Sequence, residues 1–116
     1  KATEDAKINA KLNNINSCSF KTGTVENFLK NMVSTPIDAI IIDPPRKGCS
    51  VKVIETILKL SPKNIVYISC NPATLSRDLR LFCETKYQIL ETYAIDMFPQ
   101  TFHIESTTLL KNIKSF

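Results

Sequence analysis

Hydrophobic positions recur along the chain with two periods, and these predict alternating helices and strands. Apolar residues at helical spacing predict helices at 3–14, 25–34, 51–60 and 72–84. Short apolar runs bounded by turn residues predict strands at 18–21, 38–43, 64–69, 87–96 and 105–110. The runs at 38–43 and 64–69 are nearly continuous, which is typical of strands covered on both faces. The alternation favours an α/β fold with a mainly parallel sheet.

Polar residues and prolines mark several predicted helix ends. Thr3 and Ser50 are predicted N-caps, Pro36 is expected to end the second helix, and Asn71-Pro72 opens the last. The final two strands are joined only by "MFPQTFHI", which is too short for a crossover helix. The last strand is therefore expected to run antiparallel to its neighbour.

Composition narrows the class of protein. The 116 residues, 43% of them hydrophobic, fit one domain at most. A net charge of +4 is compatible with a nucleic-acid partner but is ordinary for a protein in solution. The four cysteines form no C-x-x-C pair and there is one histidine, so no metal site is expected. Without an apolar run of membrane length or a signal-like segment, a cytoplasmic protein with reduced thiols is expected.

Reactive side chains cluster where predicted strands end. Ligands of open α/β sheets bind beyond the carboxyl ends of the strands. Three strands end at Asp43, Cys70 and Asp96, and an antiparallel last strand begins at the same edge with His103 and Glu105. Taken singly, Cys70 could be a structural thiol, Asp43 a turn residue, His103 a loop residue and Glu105 a surface carboxylate. Their convergence favours a site built on Asp43, Cys70 and Glu105.

A thiol and a carboxylate on one edge suit methylation of a pyrimidine at carbon 5. Addition of a thiolate to C6 of uracil makes C5 nucleophilic toward a methyl donor, and a base then removes the C5 proton. A cysteine–histidine hydrolase pair built on Cys70 and His103 is conceivable. However, that chemistry gives the "DPPR" segment no role.

Several segments resemble the RNA uracil-5 methyltransferases. The motifs are "DPPRKG", "IVYISCNPAT" and "DMFPQTFHIE", in that order, with "EDAKINAKLNNIN" and "GTVE" ahead of them. This resemblance implies a Rossmann-like class I methyltransferase fold with an antiparallel last strand. It also implies S-adenosylmethionine as the cofactor and a uridine of RNA as the substrate, with 23S rRNA expected rather than tRNA.

The resemblance implies a role for four residues. Cys70 matches the nucleophile that adds to C6, and Glu105 matches the base that removes the C5 proton. Asp43 resembles the acidic residue of the cofactor pocket. Thr24 stands near the adenine position, where the family more often has Asp or Asn.

Other family features have no counterpart in the sequence. These are the Gly-rich cofactor loop, the acidic residue that holds the ribose, the RNA-binding barrel and the iron–sulfur cysteines. Residues 1–116 are therefore expected to form the carboxyl-terminal part of a catalytic domain, inactive when isolated. The edge of strand 38–43 is expected to pair with strand 18–21 or with another copy of the chain. A non-catalytic binding fragment and a cytosine-5 RNA methyltransferase are the alternatives; the latter would be expected to show Pro-Cys near Asp43.

Overall fold

The computed structural model describes residues 1–32 and 34–114, and helices and strands alternate along them. The helices are α1 (Ala2–Leu12), α2 (Val25–Lys30), α3 (Val51–Leu60) and α4 (Pro72–Thr85). The strands are β1 (Ala39–Ile42), β2 (Asn64–Ser69), β3 (Tyr87–Ile95) and β4 (Glu105–Asn112). This order confirms the predicted α/β class.

The four strands form one sheet in the order β1-β2-β4-β3. β1 and β2 are parallel, and β4 is antiparallel to both β2 and β3. Three strands therefore share one direction, and the antiparallel last strand predicted from the short final connection is confirmed. Because β4 lies between β2 and β3, the sheet has one parallel pair of neighbours and two antiparallel pairs.

Helices α2, α3 and α4 pack against one face of the sheet. They share a hydrophobic core with alternate residues of the strands, including Ile65, Tyr67 and Leu110. Ile41, on the other face of β1, is 69% exposed. The prediction that β1 is covered on both faces is therefore wrong, because these helices all lie on the same side.

Helices α3 and α4 begin where local sequence signals predicted. Ser50 Oγ accepts a hydrogen bond from Val53 N at 3.2 Å, and α3 covers the predicted residues. Asn71 Oδ1 accepts from Ala73 N at 3.0 Å, with Pro72 at the first position of α4. Both predicted starts are confirmed.

Three details at the amino end differ from the predictions. Helix α1 begins at Ala2, and Thr3 does not cap it; Thr3 Oγ1 instead accepts a hydrogen bond from Thr22 Oγ1 at 2.8 Å. Helix α2 ends at Lys30, before the predicted end near Pro36, and Val33 lies outside the described residues.

The segment 18–21 is not a strand, and it does not pair with the edge of β1. A strand is stable only when its backbone groups have a partner, and the sheet ends at β1. The predicted strand at 18–21 is therefore wrong, and so is its pairing with the edge of β1; pairing of that edge with another copy of the chain stays a prediction.

Candidate active site

Cys70 lies on the turn between β2 and α4, as the sequence predicted. Ser69 ends β2, and its Oγ accepts a hydrogen bond from Asn71 N at 3.0 Å. The side chain of Asn71 then caps α4. Two local hydrogen bonds thus fix the backbone on both sides of Cys70, whose side chain is half-buried.

Glu105 comes level with Cys70 at the start of β4. The last residues paired between β2 and β4 are Ser69 and Ser106, so the next residues in register are Cys70 and Glu105. Backbones of opposed residues in an antiparallel pair lie about 4.5–5.5 Å apart, with their side chains on one face. Ser69 and Ser106 are both buried, and strand alternation directs Glu105 to the opposite face, while Cys70 lies on the turn just beyond Ser69.

Asp43 follows β1 at the same edge but borders a different space. Ile42 pairs with Tyr67, so Asp43 comes level with Ile68, two residues before Cys70. The offset between the backbones of Asp43 and Cys70 is about 8 Å from strand geometry. Asp43 lines a mainly apolar groove of about 630 Å³ between β1, α2 and α3.

Cys70 lines a separate, smaller cavity of about 170 Å³. Its other lining residues are Arg46, Asn71, Pro72, Phe102 and His103. The Arg46 guanidinium contacts the His103 ring, and the rings of Phe102 and His103 lie 4.3 Å apart. Cys70 therefore shares its cavity with a cationic guanidinium and two aromatic rings.

Two of these lining residues were not identified as site residues from the sequence. They are Arg46, which taken singly could belong to a solvated basic face, and Phe102. Phe102 is 91% exposed beside the cavity, which is unusual for a phenylalanine. The available signal was its position in "MFPQTFHI", the connection that leads into the strand bearing Glu105.

Thr24 is the N-cap of α2, and its Oγ1 accepts from Asn27 N at 3.4 Å. It lines a cavity of about 420 Å³ that adjoins the Asp43 groove, since Val25 and Phe28 border both. Thr24 and Asp43 thus lie in neighbouring spaces rather than in one pocket. Asp96, at the end of β3, is exposed.

A buried carboxylate anchors the loop between β1 and α3. Asp78 on α4 is fully buried and accepts from Tyr67 Oη at 2.6 Å and Cys49 N at 2.8 Å. Burial, and then the charge of Asp78, raises the pKa of the Cys49 thiol to about 11. Burial and the bond to Asp78 also raise the pKa of Tyr67. These raised pKa values keep Cys49 and Tyr67 protonated at neutral pH.

The described residues show no metal centre and no membrane-spanning helix. Within residues 1–32 and 34–114, no cluster of three or more His, Cys, Asp or Glu side chains could hold a metal ion. In the same ranges no helix is long and apolar enough to cross a membrane.

The α/β fold matches that of S-adenosylmethionine-dependent methyltransferase structures. The crystal structure of M1.HpyAVI shares this fold, with a TM-score of 0.62 over 82% of this chain and 55% of that one, at 16% identity. The sequence model of the tRNA (uracil-5-)-methyltransferase family matches residues 26–113. The chain belongs to this family.

Relatives in this family extend along nearly the whole chain. An uncharacterised RNA methyltransferase of Listeria innocua is 44% identical over 94% of the chain, and one of Staphylococcus aureus is 48% identical over 97%. The tRNA (uracil-54, C5)-methyltransferase of Pyrococcus abyssi, solved with S-adenosyl-L-homocysteine, is 35% identical over 94% of the chain, with a TM-score of 0.78. The chain spans about a quarter of the length of each: 24%, 25% and 26%.

Proposed function

We propose that the chain carries the reacting groups of an enzyme that methylates C5 of uridine in RNA, with S-adenosylmethionine as the methyl donor. Family membership supports the reaction class. The observation that carries the residue assignment is the register of β2 and β4, in which Cys70 and Glu105 are the next opposed residues after Ser69 and Ser106. A thiol and a carboxylate on one face can act on adjacent carbons of a single ring.

In the proposed reaction, the Cys70 sulfur forms a bond to C6 of the uracil, and the electron pair of the C5–C6 double bond moves toward O4. C5 would then bond to the methyl carbon that S-adenosylmethionine supplies, as the bond from that carbon to the sulfonium sulfur breaks and S-adenosylhomocysteine leaves. Glu105 removes the C5 proton, the double bond re-forms, and the bond between Cys70 and C6 breaks. The uracil must leave its base stack to reach this edge of the sheet.

The residues around β1 fit the cofactor in part. The groove of about 630 Å³ is within the usual size of small-ligand sites and is mainly apolar, with Asp43 as a carboxylate at its end. Asp43 would accept hydrogen bonds from polar groups of the ligand. The Thr24 hydroxyl accepts from Asn27 N and can still donate one hydrogen bond and accept another.

The cavity at Cys70 has groups that suit an RNA nucleotide. Arg46 can donate hydrogen bonds to a uracil oxygen or to a phosphate. The exposed ring of Phe102 offers a stacking surface for a base. The resemblance favours 23S rRNA as the substrate, whereas the matched family and the Pyrococcus abyssi relative are named for tRNA. Both RNAs therefore belong in the assay.

The test is covalent trapping with the full product of the gene that encodes this chain. Transcripts of 23S rRNA fragments and of tRNA, made with uridine or with 5-fluorouridine, are incubated with S-adenosylmethionine. Fluorine at C5 cannot be removed as a proton, so the protein–RNA adduct should persist under denaturing conditions. The Cys70→Ala variant should form no adduct and no 5-methyluridine.

Cys83→Ser is the matched control, because Cys83 is an exposed thiol on α4 away from the cavity. It should form the adduct as the wild type does. An adduct that persists in Cys70→Ala, or methylation of cytidine in place of uridine, would refute the proposal. RNA binding with neither adduct nor methylation would support the non-catalytic alternative.

A further inference from the structure

The loop from Asp43 to Ser50 is tied to α4 by hydrogen bonds from its side chains to the loop backbone. Arg77 Nη2 donates to the carbonyl oxygens of Lys47 at 2.9 Å and Cys49 at 3.3 Å. Thr74 Oγ1 donates to the carbonyl oxygen of Arg46 at 2.9 Å. The loop backbone is therefore fixed by the same helix that begins beside Cys70.

Asp78 completes this arrangement from inside the protein. Its two carboxylate oxygens accept from Cys49 N, from Tyr67 Oη and, at 2.9 Å, from Arg77 Nε. A buried carboxylate is costly unless its oxygens are paired, and every described partner of Asp78 belongs to the loop, to β2 or to α4. We call Tyr67, Thr74, Arg77 and Asp78 the loop clamp.

The loop approaches the clamp too closely for any side chain at Gly48. Gly48 has φ +76°, and a Cβ there would lie 2.6 Å from both Arg77 Nη2 and Asp78 Oδ2. The sequence thus provides glycine where the loop passes over an ion pair. The loop backbone therefore packs closely against Arg77 and Asp78 of α4.

The residue most affected by that position is Arg46. Its carbonyl oxygen is held by Thr74 and, at 3.1 Å, by Asn71 Nδ2, while its side chain reaches His103 in the cavity of Cys70. Loss of the clamp would leave the Arg46 carbonyl with the bond from Asn71 Nδ2 and would allow the Arg46 guanidinium to shift relative to the thiol.

We propose that Thr74, Arg77 and Asp78 are positioning residues, which hold Arg46 beside Cys70 and so set the rate at which the thiol adds to the uracil. This inference rests on the proposed function. A purely structural role would lower the stability of the fold and leave the rate per folded molecule unchanged. A positioning role lowers that rate even when the fold is intact.

The sharpest variant is Thr74→Val, because valine keeps the shape and removes only the hydroxyl. Thr74→Ser keeps the hydroxyl and serves as the rescue variant. With the full gene product, single-turnover adduct formation, kcat and KM for RNA are measured, with thermal unfolding on the same samples. Thr74→Val should slow adduct formation about 5- to 10-fold, the effect expected for one hydrogen bond. Its KM should change little, and Thr74→Ser should restore the rate.

Arg77→Gln removes the guanidinium charge and the hydrogen bonds that Arg77 donates to the loop carbonyls. It should therefore slow adduct formation more than Thr74→Val does. Its matched control is Arg80→Gln, since Arg80 lies one turn further along α4, exposed and paired with Glu84. Wild-type rates per folded molecule in both Thr74→Val and Arg77→Gln would overturn the inference while leaving the proposed function standing. A wild-type protein that forms no adduct with any uridine RNA would overturn both.

Discussion

Replacement of Gly48 by alanine tests how tightly the loop packs on α4. The new Cβ would lie 2.6 Å from Arg77 Nη2 and from Asp78 Oδ2, and 3.2 Å from Thr74 Cβ. Carbon atoms do not approach polar atoms this closely, so the loop or the ion pair must move. The φ of +76° adds strain for any residue with a side chain.

The expected loss of stability follows from these two effects. A left-handed backbone costs an L-residue about 1 kcal/mol. Displacement of one charge-assisted hydrogen bond of Asp78 costs about 2 to 3 kcal/mol. The sum is about 3 to 4 kcal/mol, a large part of the stability of a typical domain. For a chain of this length it corresponds to a fall in Tm of roughly 12–16 °C.

The assay is urea unfolding followed by circular dichroism, with Gly23→Ala as the control. Gly23 also has a positive φ, +149°, but a Cβ there meets nothing within 4 Å. Gly23→Ala should therefore cost only the backbone strain, about 1–2 kcal/mol. If Gly48→Ala lowers the free energy of unfolding no more than Gly23→Ala does, the loop does not pack against the ion pair and the clamp geometry is wrong.

A double-mutant cycle separates the steric clash of the new Cβ from the backbone strain at position 48. In an Arg77→Ala background, one of the two closest atoms to the new Cβ is absent. The additional cost of Gly48→Ala should then fall, giving a favourable coupling of about 1 kcal/mol between contacting residues. Additive effects of the two changes would show that Gly48 and Arg77 do not touch.

Three other results are expected. Glu105→Gln in the full gene product should leave the C5 proton in place, so a methylated RNA adduct accumulates. Normal turnover without an adduct would show that Glu105 is not the base, and that water or His103 removes the proton. Above pH 9 the fold should lose stability, because folding raises the pKa of Cys49 to about 11 and of Tyr87 to about 12. Each group favours the folded state below its unfolded pKa, and this contribution is lost as pH rises through the folded value. Tyr87→Phe should therefore flatten the decline above about pH 10 in pH-dependent thermal unfolding. The 116-residue chain alone should show no measurable S-adenosylmethionine binding by calorimetry, because the groove lies open beside the unpaired edge of β1 in the described residues; micromolar affinity from a monomer by light scattering would contradict this.

The sequence by itself determined the elements whose signals are local. Ser50 and Asn71 cap α3 and α4 through hydrogen bonds to residues only two or three positions away. The antiparallel direction of β4 followed from the length of one connection. The place of Cys70 on a turn followed from the strand before it and from Pro72 after it. Each of these depends on neighbours in the chain, and so each could be read from the chain.

Tertiary structure decided everything that depends on distant partners. Residues 18–21 have strand-like composition but pair with no strand of the described sheet. Asp78 would be expected at the surface on its own, yet the fold buries it among Tyr67, Arg77 and Cys49 N. The cavity at Cys70 takes Arg46 from one loop and Phe102 from another. Burial and cross-strand register are properties of the packed molecule, and no local pattern encodes which residues they bring together.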